Sequence, residues 1–123
     1  MNDEFRPDQT FTVASFLINP EQVPKWPGCY AFVDDSDNRV LRVGRSNQLR
    51  FRIQSYVDNL FNDRMADSMF GYMKMRGSPF RVFLWFVVYP GLFERSLIVT
   101  YNPPFNLQIP KIDKVMMEIG VAI

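Results

Sequence analysis

From Phe80 to Tyr89 the chain holds Phe, Val, Leu, Trp and Tyr with one interruption, Arg81. A strand with one wet face alternates apolar and polar residues, and this run does not. It reads as a central strand covered on both faces, so the fold must place a layer on each side of it. Pro90-Gly91 breaks the run. Its longest uninterrupted apolar piece, Val82 to Tyr89, is far too short to span a membrane. A chain of 123 residues can bury one such core but not two. With 47% apolar residues, including twelve Phe, disorder is excluded.

The other elements arrange themselves around that strand. Residues 1–27 form a lead-in containing Pro7, Pro20, Pro24 and Pro27, in which Phe11, Val13, Phe16 and Leu17 can pack a short strand or helix onto the body. Cys29 to Val33 and Arg39 to Val43 flank the turn formers Asp34-Asp35-Ser36-Asp37-Asn38, which predicts a hairpin. Alternation puts Cys29, Ala31, Val33, Leu41 and Val43 on one face, and Tyr30, Phe32, Val40, Arg42 and Gly44 on the other. Ser46 or Asn47 can cap a helix running to about Phe61, with Leu49, Ile53, Tyr56 and Leu60 as its buried stripe. Residues 63–76 predict a second helix carrying Met65, Met69, Tyr72 and Met73, ended by Gly77-Ser78-Pro79. Leu92 to Tyr101 predicts a third, stopped by Pro103-Pro104. A short amphipathic helix is expected at 109–123. The reading is one mixed α/β domain over residues 1–123, with its core at about 24–108.

Composition narrows the chemistry. There is no histidine, which removes zinc fingers, histidine triads and imidazole ligands and leaves carboxylate–magnesium chemistry as the metal option. The lone Cys29 fits a small core residue in a reducing compartment, since nothing is present to activate it. The polar stretch Met1 to Thr10 does not look like a secretory signal, so a cytoplasmic location is expected. A net charge of +1 makes no global case for nucleic acid; any such case is local.

Local charge exists. Arg39, Arg42, Arg45, Arg50 and Arg52 fall within fourteen residues, and guanidinium groups grip phosphates in bidentate fashion. For Arg39 and Arg50 a solvated face beside Asp34, Asp35 and Asp37 explains as much. Arg52 lies one helical turn before Tyr56, so both side chains reach one point. Glu94 falls on the face of its helix shared with Leu97, Ile98 and Tyr101, where a carboxylate is costly unless paired or metal-bound. It is either an edge glutamate paired with an arginine such as Arg95, or a ligand. Tyr30 is either strand packing or a group that orients water.

In order and spacing these residues resemble the GIY-YIG nuclease superfamily, and within it the amino-terminal nuclease domain of bacterial excision-repair endonucleases. Trp26-Pro27-Gly28-Cys29-Tyr30-Ala31-Phe32 is similar to the family's opening strand. Val40 to Tyr56, containing Val43-Gly44-Arg45 and the Arg52/Tyr56 pair, is similar to the second strand and following helix. Glu94 to Asn106, ending Pro103-Pro104-Phe105-Asn106, is similar to the metal-binding helix and the segment that closes it. The resemblance implies a three-stranded antiparallel sheet flanked by helices. It implies that Glu94 binds a single Mg2+ or Mn2+, that Arg52 stabilises the scissile phosphate, and that Tyr30 and Tyr56 surround the attacking water. Arg45 and Arg42 would meet the substrate, Asn106 would brace the site, and DNA (duplex, nicked or branched) would be the substrate. A homodimer or a protein partner would supply any sequence preference.

One position departs from the pattern. Arg42 stands where the family carries the tyrosine usually assigned as general base, and a guanidinium cannot accept a proton. Three outcomes are open: Tyr30 takes over with its phenol pKa lowered by Arg42, a metal-activated water serves alone, or the domain binds nucleic acid without cutting it.

Overall fold

A computed structural model describes residues 5–61, 69–76 and 80–106. The short strand β1 (Gln9–Thr12) leads directly into helix α1 (Val13–Ile18), whose first turn is held by a capping box between Thr12 and Ser15. A single 3₁₀ turn at Pro20–Gln22 follows. Then come β2 (Gly28–Asp34), β3 (Arg39–Ser46), α2 (Leu49–Phe61), α3 (Met69–Arg76), β4 (Phe80–Trp85) and α4 (Pro90–Tyr101). The described strands form one antiparallel sheet in the order β1-β4-β2-β3.

The apolar run does lie inside the sheet, between β1 and β2, but it stops being a strand at Trp85. The sheet has four strands, not three, because the lead-in supplies β1 along the otherwise open edge of β4. Both faces are covered. Phe16, Tyr30, Phe32, Leu41, Leu49, Ile53, Tyr56 and Val57 pack on the side of α1 and α2. Cys29, Ala31, Val33, Val40, Val43, Phe83 and Trp85 pack with Leu97 and Ile98 on the side of α4. Every residue of β2 is buried.

The hairpin forms where the turn residues put it, with Asn38 at φ 58° in the left-handed region that asparagine tolerates. Its face assignment changes, however. The register slips between Phe32 and Val33, so Phe32 pairs with Arg42 while Val33 pairs with Val40. This bulge turns Leu41 toward α2 and Val40 toward α4, the reverse of what strict alternation gives.

The start of α2 also differs from expectation. Ser46 Oγ accepts from the Gln48 amide, but the first helical amides, Leu49 and Arg50, donate to the carbonyls of Trp26 and Pro24. The proline-rich lead-in therefore caps the helix. Arg50 adds to this, with Nε donating to Val23 O at 2.6 Å. The Asp34–Asp37 cluster, expected beside Arg39 and Arg50, instead receives Arg76 and Arg81. Met65, the break at 77–79, the helix at 109–123 and the Leu60 side chain lie outside the described residues.

Candidate active site

Three peptide segments meet at the outer edge of the sheet. From β2 comes Tyr30; from β3 come Arg42, Gly44 and Arg45; from α2 come Arg52 and Tyr56. Helix α4 and the turn after it add Glu94, Ile98 and Asn106. Together they line a cleft of about 390 Å³. Every residue that the sequence singled out as catalytic or substrate-binding is in it.

The phenols are fixed by packing. Tyr30 stands directly across the strand pair from Gly44, and a Cβ at position 44 would fall on the Tyr30 ring and hydroxyl. Gly44 is the space that the ring occupies. Its hydroxyl donates to Tyr56 Oη at 3.1 Å, and the two rings meet edge-on at 5.5 Å. Gly28 is required for a different reason: a Cβ there would strike the Trp85 carbonyl of β4.

Arg42 is the organiser of the site's far wall. Its Nε donates to Tyr56 Oη at 2.7 Å and its Nη1 donates to the Phe105 carbonyl at 2.7 Å. One guanidinium thus ties α2, β3 and the turn after α4. Asn106 completes the tie. Its Oδ1 accepts from the Val43 amide at 2.8 Å and its Nδ2 donates to the Val43 carbonyl at 2.7 Å, as a neighbouring strand would. The Phe105 amide donates to Leu41 O at 3.0 Å. The Pro103-Pro104-Phe105-Asn106 segment therefore closes the free edge of β3.

On the other side of β3 stands Glu94, 9% exposed. Arg45 Nε lies 3.6 Å from its Oε1. Three guanidiniums against one carboxylate make the lining positive, as a polyanion's site should be. Among the described residues no three His, Cys, Asp or Glu side chains gather, so a protein cage for a metal is absent there. A single buried carboxylate in a wet cleft suits a hard cation that keeps most of its waters, as Mg2+ does. The Arg45 pair is long and part-exposed, a weak competitor.

No family model matches the chain. In sequence it is similar to UvrABC system protein C of Prochlorococcus marinus, 34% identical over 87 residues covering 70% of this chain and 13% of that protein. The Methanosarcina mazei protein of the same name is 33% identical over 95 residues, 77% of this chain and 17% of that one. In structure it is similar to the GIY-YIG N-terminal endonuclease domain of UvrC from Thermotoga maritima, solved as a point mutant bound to its catalytic divalent cation. The TM-score is 0.55 at 16% identity, over 76% of this chain and 97% of that one. The chain is a UvrC-like GIY-YIG domain. It spans less than a fifth of the length of these two curated relatives.

In this GIY-YIG domain one sequence-based expectation fails. Burial of Tyr30, reinforced by the adjacent Tyr56, raises its phenol pKa far above 10.0, overriding the lowering by Arg52 and Arg42. That shift is opposite to the lowering by Arg42 that a basic Tyr30 would require. Cys29 is a core residue as read, with its thiol on the Pro90 carbonyl. Gly44's part was missed, although its signal, a glycine facing Tyr30 across a predicted hairpin, was present. Among the described residues no helix is long and apolar enough to cross a membrane.

Proposed function

We propose that the chain is the cutting domain of a metal-dependent DNA endonuclease. What supports this reading is the convergence of Glu94, Arg52, Tyr30 and Tyr56 in one positive cleft, although they come from α4, α2 and β2. Glu94 is the residue to hold one divalent ion, Mg2+ or Mn2+, with waters and substrate oxygens as further ligands. When bound, such an ion polarises the phosphate and makes a water easier to deprotonate.

The chain's own residues supply the rest. Arg52, exposed at the cleft mouth, holds the scissile phosphate and offsets charge as it builds on the phosphoryl oxygens. Arg45, beside Glu94, stands where a second phosphate oxygen can draw it away from the carboxylate. Tyr30 donates to Tyr56 Oη and Arg42 donates to the same oxygen, so the Tyr56 phenol is held rigidly at the cleft wall to orient the attacking water. Arg42 does not replace the missing tyrosine as a base. It positions Tyr56.

Arg42 also favours a second reading, a domain that binds DNA without cutting it. Incubation of the purified protein with supercoiled plasmid and a branched oligonucleotide, in Mg2+, Mn2+ or EDTA, separates the two. Metal-dependent nicking that Glu94→Gln abolishes establishes the nuclease. DNA binding with no nicking in either metal would leave the binding domain standing.

A further inference from the structure

A second concavity of about 790 Å³ adjoins the cleft, lined by Arg45, Ser46, Asn47, Gln48, Phe51, Arg52, Ser55 and Pro90. Arg45 and Arg52 line both spaces, so the groove runs on from the proposed phosphate position between the start of α2 and the start of α4. Its lining is cationic and polar apart from Pro90 and one aromatic ring. Phe51 is 56% exposed on the solvent side of α2, where an amphipathic helix carries polar residues. Lys25 Nζ lies over its ring, 5.3 Å from the centroid, a cation–π contact that a stacking base would displace, releasing the ammonium toward a phosphate.

We propose that this groove binds an unpaired DNA strand leading away from the scissile phosphate, with a base stacked on Phe51 and backbone phosphates held by Arg45, Arg52 and Lys25. Cations and an exposed aromatic ring are what a flexible single strand requires, since every base has a face to stack and every nucleotide a charge. A paired base cannot lie on the ring without leaving its partner, so the groove selects flapped, branched or frayed ends over blunt duplex. Two amides of the first helical turn are not available as phosphate donors: those of Leu49 and Arg50 already donate to Trp26 and Pro24. Asn47 and Gln48, both exposed, lie in the groove with amides able to meet base edges. The inference rests on the nuclease reading for the position of the scissile phosphate.

The test is fluorescence anisotropy in EDTA, where nothing is cut, with three labelled probes: blunt duplex, the same duplex with a five-thymidine flap, and single-stranded thymidine. The wild type should prefer the flapped probe to the blunt one. Phe51→Ala should shrink that preference about 5- to 150-fold, the loss of one stacked base. Phe51→Trp should restore it, with the new indole's fluorescence quenched by the flapped probe and not by the blunt one. Equal affinities for blunt and flapped DNA, or a preference that Phe51→Ala leaves intact, would overturn the proposal; so would failure of the wild type to bind any probe. Its fate is separable from the nuclease reading, because plasmid nicking in Mg2+ is scored apart from binding in EDTA.

Discussion

Tyr30 can stand where it does because residue 44 has no side chain. Gly44→Ala should displace the ring and cost about 1–3 kcal/mol in urea unfolding, as overpacking of a buried site does. Tyr30→Ala removes the ring and hydroxyl that the intruding methyl would strike, so the double variant should be more stable than the two single losses summed. Strict additivity would show that Gly44 serves something other than that ring. Burial has a second consequence at this residue. Because the folded-state pKa of Tyr30 is raised above its ordinary 10.0, its contribution is complete below pH 10 and is lost as the unfolded chain ionises above it. Stability should therefore fall between pH 10 and 11 by about 1 kcal/mol for this group. Tyr30→Phe should flatten that fall. It should not abolish it, since Tyr72 and Tyr101 are raised as well, each first by desolvation. An unchanged slope in Tyr30→Phe would mean that Tyr30 ionises in the folded protein. Such ionisation would return it to consideration as a base.

At the scale of elements, the edge of β3 decides whether the cleft exists. Asn106 pairs with both backbone groups of Val43, and Arg42 and the Phe105 amide hold the same turn against the strand. Asn106→Ala leaves the Val43 amide and carbonyl to solvent and should cost about 1–3 kcal/mol, with nicking lowered alongside. Asn106→Asp is the sharper variant. Its carboxylate can still accept from the Val43 amide but faces the Val43 carbonyl with no proton to donate, so it should be at least as damaging as alanine in thermal unfolding. If it were harmless, the amide pair would not be what holds the edge. These elements also show what a linear reading could and could not find. The central strand, the hairpin and α4 were legible because each rests on local patterning: an apolar run, a turn cluster, a helical stripe ended by proline. The bulge was not, because pairing register depends on two strands together, and one extra residue sent Leu41 and Val40 each to the face opposite the one that alternation gives. The fourth strand was left undecided, since four residues at Gln9–Thr12 gain strand character only from β4 beside them.

For the whole molecule, the charge distribution sets how DNA should be held. With a net charge of +1 the chain has no global attraction for a polyanion, so binding must come from the few cations at the site. Arg39 and Arg50, although part of the same run in sequence, are not among the residues lining the cleft or the groove. Arg50 braces the lead-in and the Arg39 amide bonds Asp37 in the hairpin turn. Arg42 is committed to Tyr56 and Phe105. Among the described residues, Arg45 and Arg52 line both spaces and Lys25 stands at Phe51, and three phosphate contacts from these would give a slope of roughly −2.7 for log affinity against log salt concentration on duplex DNA. Arg52→Ala should reduce that slope by about one and weaken all probes alike, whereas Phe51→Ala should leave the slope nearly unchanged while altering the preference among probes. The two variants therefore act on different axes. A wild-type slope of about −6 or steeper would place the main DNA contact outside the cleft and its groove, and the cleft's charge would then serve the reacting phosphate alone.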